Sequence, residues 1–228
     1  MEDKKYELTN KIIKHGEKTL YQIRALKDFE DVNTGDLGGY IESERNLSHE
    51  GDCWVYENAK VYENAKVFDN AQVFGNATVG GEAQVYGEAL VYNNAKVYDD
   101  AKVFDKAKVF DNAQVFGEAR VFNNAQIYGT AEISDSAVVC EKAEIGGHTE
   151  LYHYDYINGS IKMIDNVTKE SPEKNEIKIL ENEIQKYEEH CSKIVDKLKL
   201  QDELPNFQVI SQKGLLYEKN SEENNVSE

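Results

Sequence analysis

The chain has 228 residues and a formal net charge of −17, from 26 basic and 43 acidic side chains. Such an acid excess argues against contact with nucleic-acid phosphates, and no apolar run is long enough to span a bilayer, so neither a nucleic acid nor a membrane is expected as partner. Three cysteines without paired spacing (Cys53, Cys140, Cys191), and a charged N-terminus with no apolar run behind it, predict a cytoplasmic protein without a disulfide framework.

Residues 1–40 read as a β cap. Residues 6–13 and 19–26 are apolar-rich and are joined around Lys14-His15-Gly16-Glu17, the pattern of a hairpin. A parallel solenoid leaves open strand edges at its ends, which a hairpin can cover. Residues 33–52 lead into the coil, with Ile41 and Leu47 expected in the small-residue column that follows.

From Cys53 to Tyr152 one hexapeptide recurs. Alanine stands at every sixth residue from Ala59 to Ala143, and Val or Ile two places later, from Val61 to Ile145. A fixed period with branched apolar residues marks a solenoid, and a period of six marks a β-helix. In Ala-Lys-Val the alternation turns Ala and Val inward and Lys or Gln outward. The fifth and sixth positions are mostly Asp, Glu, Gly and Asn; Gly and Asn tolerate the left-handed backbone that a sharp corner needs. Three hexapeptides per coil suit the outward columns best. At an interval of eighteen, Asn58, Asn76, Asn94 and Asn112 share a column, and acids alternate with neutral residues in Glu63, Gly81, Asp99, Gly117, Asp135. Coils of two hexapeptides would stack Asp99 on Asp111. The expected fold is an all-β solenoid, a parallel β-helix with triangular coils over residues 41–168. It fades after Ile145 through Leu151, Ile157 and Met163 into one irregular coil.

Residues 169–200 predict an amphipathic α-helix. Ser171-Pro172-Glu173 is a helix start, and Ile177, Leu180, Ile184, Tyr187, Cys191, Ile194 and Leu198 form a heptad stripe. The stripe suits docking on the protein's own body or on an antiparallel partner better than a parallel coiled coil, in which Glu183 would face Glu188. Residues 201–228 predict a short strand within 204–217, then a disordered acidic tail.

The repeat resembles the hexapeptide-repeat superfamily over roughly half of the chain. That resemblance implies a left-handed coil. The segment Gly35-Asp36-Leu37-Gly38-Gly39-Tyr40-Ile41-Glu42-Ser43-Glu44, with Asn46-Leu47-Ser48, is similar to uncharacterised bacterial and prophage hexapeptide proteins often labelled acyltransferases. Many members carry Gly after the branched residue, whereas this chain has Tyr or Phe in most repeats. Acyltransferases of the superfamily use a histidine near a subunit interface, commonly with a projecting loop. The repeats from Ala59 to Ala143 hold neither an insertion nor a histidine. The weak catalytic candidates are His148 and His153, just past the repeats; a base there would need a partner and a cleft.

Two kinds of column are candidates for binding. One is aromatic: Phe68, Tyr86, Phe104, Phe122 on one corner and Phe74, Tyr92, Phe110, Tyr128 on another, the third being broken as Tyr62, Gly80, Tyr98, Phe116, Ser134. Such rings stack on one another, at ~0.5–1.5 kcal/mol per pair. Two outward rows of four also make an apolar patch of the kind that a second subunit or the C-terminal helix covers. The other candidate is an acidic ridge of Glu82, Asp100 and Glu118, with Asn64 and Ser136 at its ends. Its charges, ~4.8 Å apart, read as a solvated ridge, or as a site for a divalent cation or a basic partner surface. No cofactor is expected, because Gly80-Gly81 and Gly146-Gly147 fill repeat positions and open no helix. Taken together, these features predict a non-enzymatic, oligomeric binding protein, a dimer or trimer. The resemblance suggests a phage or prophage origin, with a host factor or small ligand as target and an anti-defence role among the uses. The alternative is an acyl-CoA-dependent hexapeptide acyltransferase with a site between subunits near His148 or His153. A structural assembly protein is third.

Overall fold

Burial follows the alternation. In a computed structural model that describes residues 4–164, the column from Ala59 to Ala143 and the column from Val61 to Ile145 are sealed from solvent. Each buried Val contributes ~1.5–3 kcal/mol, enough to offset the ordering of a chain that is otherwise corners and solvated side chains. The result is a parallel all-β solenoid with three sheets as its faces. From Trp54 to Glu144 each strand pairs with the one eighteen residues on: Lys60 with Thr78, Lys66 with Gln84, Gln72 with Leu90. The first face runs through Lys60, Thr78, Lys96 and Gln114, the second through Lys66, Gln84, Lys102 and Arg120. The third, with seven strands, runs from Trp54–Val55 to Lys162–Ile164. The helix expected over 169–200, and the strand and tail beyond it, lie outside the described residues.

The corners carry a rule of their own. Every sixth residue from Glu57 to Gly159, the fifth of each repeat, has positive φ, although fewer than half of them are glycine. A non-glycine residue pays ~1–2 kcal/mol in that region, less for Asn and Asp. Here the corner acids recover it by accepting a backbone N–H from the next coil. Gly81 N donates to Glu63 at 2.6 Å, Gly117 N to Asp99 at 3.2 Å, and Asn123 N to Asp105 at 3.1 Å. The alternation of acid and neutral residues is therefore more than charge spacing: Glu63, Asp69, Asp99, Asp105, Asp111 and Asp135 each cap the corner above.

Two glycines have a different reason. A Cβ on Gly80 would lie 2.6 Å from the Tyr62 ring, and one on Gly146 would clash with the Tyr128 ring. The tyrosine of the preceding coil folds flat over each of them.

At the N-terminus, β1 (Tyr6–His15) and β2 (Lys18–Ala25) form the expected hairpin, and β2 pairs antiparallel with β3 (Leu37–Ile41). The hairpin thereby extends the first face beyond its first parallel strand. The lead-in register differs from the expected one. Ile41 pairs with Val61 and Leu47 with Val67, so both fill the Val column and not the Ala column. The offset is two residues longer than eighteen, and the extra length is taken up between Leu47 and Trp54, which pairs with Gln72 at the ordinary interval. Buried Asn46 anchors this turn, its Nδ2 donating to Glu63 O at 3.0 Å and Ala65 O at 2.9 Å. The far end also departs from expectation. The last coil is in register, pairing Glu132 with Glu150, Val138 with Tyr156 and Glu144 with Lys162.

Lys18 ties the hairpin to the first corner through Glu63, at 2.9 Å. The Lys18 hydrogen bond and then the Gly81 N–H hold the Glu63 carboxyl below its ordinary value of 4.5. A depressed acid stabilises the fold above the unfolded-state value, and that contribution is lost as pH falls through the folded one. Intrinsic-rate-corrected hydrogen exchange at Lys18 and Thr19 should therefore quicken in the wild type as pH drops below about 4.5. In Glu63→Gln it should be fast at every pH; identical profiles would refute the anchor.

Candidate functional site

The second face brings two of the candidate columns together. Along each strand the outward residues lie two apart: Glu82, Gln84 and Tyr86 alternate with buried Ala83 and Val85, and Glu118, Arg120 and Phe122 with buried Ala119 and Val121. Stacked coils turn these into three rows. The acidic ridge lies on one side, a row of Lys66, Gln84, Lys102 and Arg120 in the middle, and the ladder Phe68, Tyr86, Phe104, Phe122 on the other. Among the described residues, Lys66, Lys102 and Arg120 make no ion pair. Burial pushes the Tyr86 phenol up and Asp105 adds to this, while the charge of Arg120 works against it.

The rings are half-buried and stack on one another. Centroids along this ladder are 4.7, 4.9 and 4.8 Å apart, with planes within 6° of parallel. That is the spacing of β-strands, so backbone register sets the stack. The ladder on the third face repeats it at 4.7 Å for Phe74–Tyr92, 4.9 Å for Tyr92–Phe110 and 5.4 Å for Phe110–Tyr128. Ring faces are thus occupied within the chain, and ring edges are what a ligand would meet. Between the end rings Phe68 and Phe122, a flat sugar stacking face-on finds no free ring face. At the start of the third face the chain covers its own aromatics: Phe29 packs edge-on against Trp54 at 5.3 Å, and Tyr56 donates to Asp31 at 2.7 Å.

The acidic ridge is exposed, and Asn64 donates to Glu82 at 2.6 Å. Its carboxylates stack one coil apart and do not converge. Among the described residues, no three His, Cys, Asp or Glu side chains are grouped to hold a metal ion.

His148 and His153 stand on successive corners. His148 is the last described residue of the asparagine column, in which Asn76 donates to Asn94 and Asn94 to Asn112, each at 3.3 Å, and it contacts Thr130 one coil before. His153 is a corner residue with φ of 57°; its backbone N–H donates to Asp135 at 3.1 Å and its ring Nδ1 lies 3.6 Å from the same carboxylate. The two imidazoles therefore belong to different ladders. The residues missed by sequence reasoning are Lys66, Lys102 and Arg120. Counting in twos from Glu82, Asp100 and Glu118 through Gln84, Lys102 and Arg120 to the rings would have joined the rows.

A family model described as the YdcK β-solenoid repeat matches residues 113–129. A protein of Escherichia coli (strain K12) named "Uncharacterized acetyltransferase YdcK" is 50% identical over 38 residues, 17% of this chain. The matched stretch spans 12% of the length of that relative.

Proposed function

We propose that this chain, a hexapeptide-repeat-type protein, is a non-enzymatic binding scaffold that self-associates and docks through its second face. The carrying observation is the row of Lys66, Lys102 and Arg120, without ion-pair partners among the described residues, on a chain of net charge −17. Acidic corners of a second copy complement that row, and the adjoining ring edges add apolar area at ~25 cal/mol per Å². Light scattering of the full chain should report an oligomer. Lys102→Glu with Arg120→Glu should dissociate it, while Lys96→Glu on the first face should not. A monomeric wild type, or an oligomer indifferent to the second face, refutes this reading.

The second reading is an acyl-CoA-dependent acyltransferase. It draws on the E. coli relative's name and on the ring of His153 lying beside the Asp135 carboxylate. Incubation with acetyl-CoA and a panel of amines and alcohols separates the two. The scaffold reading expects no thiol release above background; turnover lost in His153→Ala or His148→Ala would establish the enzyme.

A further inference from the structure

We propose that Lys5 and Cys53 are a modification site: on oxidation they join through a reversible sulfur–nitrogen bond that fastens the N-terminal strand to the first coil. Cys53 occupies the first small inward position of the repeat, and its Sγ lies 3.2 Å from Lys5 Nζ. Both residues are 0% exposed. The amine is held in place, because Nζ also donates to Cys53 O at 2.8 Å and Gly51 O at 3.0 Å. With two hydrogens committed to carbonyls, the remaining direction on nitrogen points at sulfur. A neutral amine would carry its lone pair there, and burial lowers the Lys5 pKa toward that form. A recess lined by Lys5, Lys27, Phe29, Ser48 and His49 opens next to the pair.

The chemistry needs one equivalent of hydrogen peroxide. The Cys53 sulfur attacks one peroxide oxygen; the S–O bond forms, the O–O bond breaks, and water leaves behind a sulfenic acid. Lys5 nitrogen then attacks that sulfur. The N–S bond forms, the S–O bond breaks, and the hydroxyl departs with an amine proton as a second water. Sulfur loses two electrons and the peroxide gains them. A dithiol reverses the linkage: one thiol attacks the Cys53 sulfur, the N–S bond breaks and the amine leaves with that thiol's proton, and the second thiol then displaces Cys53 from the mixed disulfide as a free thiol. Among the described residues Cys140 has no such neighbour; its Sγ lies 3.7 Å from the Tyr156 hydroxyl.

The test uses the full chain with Cys140→Ser and Cys191→Ser, exposed to hydrogen peroxide under native conditions and mapped by mass spectrometry. The expected product is lighter by about 2 Da, two hydrogens having been lost, and yields one peptide pair joining Lys5 to Cys53. Dithiothreitol should restore the starting mass, and Lys5→Arg should abolish the pair. Cys53 left as a free thiol, or recovered as sulfenic or sulfinic acid with Lys5 unlinked, overturns the proposal. A linkage that retains oxygen overturns the condensation step. These outcomes are read in the parent chain alone, so they stand even if Lys5→Arg does not fold.

Discussion

Replacing Ala95 with Leu should destabilise the protein by ~1–3 kcal/mol, the cost of forcing extra carbon into a filled interior. Ala95 is completely buried, with Ala77 one coil before it, Ala113 one coil after it, and Val97 beside it. Three faces close around a column whose small residue is alanine in every coil from Ala59 to Ala143, so a leucine has no cavity to enter. It must push a strand outward and break pairing with both neighbouring coils. Each coil of a solenoid touches only its neighbours, so the damage should stay local. Hydrogen exchange should quicken at residues 77–79 and 113–115 and leave the hairpin unchanged. Lys96→Leu, one residue on and facing out, should stay within about 0.5 kcal/mol of wild type in urea unfolding. If Ala95→Leu matched that control, the interior would not be as tightly filled as the buried columns imply.

The interior is legible in the sequence because inward and outward residues alternate in every repeat, and nothing elsewhere in the chain can disguise that. The interval of eighteen is legible for a related reason: only one coil length puts Asn76, Asn94 and Asn112 in line, and their amides do bond in line. The lead-in is harder. Counting back by sixes from Ala59 reaches Leu47 and Ile41, but the two residues added between Leu47 and Trp54 shift both into the Val column. No periodic signal announces such an insertion; the buried Asn46 amide that holds it shows only in three dimensions. The corner acids are half legible. Their alternation with glycine is visible, but their role as acceptors from the next coil follows from backbone geometry at positive φ. The candidate face is legible column by column, whereas its unity depends on seeing that the ridge and the ladder flank the same strands. The rings illustrate the limit. Sequence alone offers stacking and outside cover as competing uses for them, and the structure shows that stacking already takes their faces.

Lys5→Met should cost about 1–3 kcal/mol and loosen the N-terminal end first. Within the solenoid, a strand carbonyl accepts an N–H from the coil before it, as Ala71 O does from Trp54 N at 3.1 Å. The first coil has no predecessor on that face, and Lys5 Nζ supplies the missing donors to Gly51 O and Cys53 O. Methionine keeps the length of the stem, and so the packing near Phe29, while removing the donor. Two effects then oppose each other. Each orphaned carbonyl costs ~1–3 kcal/mol, and relief from burying an amine offsets part of that. The carbonyls prevail because they are main chain: they cannot be replaced by apolar groups and cannot turn to water without opening the coil. Exchange at Cys53 and Trp54 should therefore rise well before the distant coils respond, and the urea midpoint should fall. A variant as stable as wild type, with unchanged exchange at those two amides, would mean that the burial penalty of Lys5 cancels its hydrogen bonds.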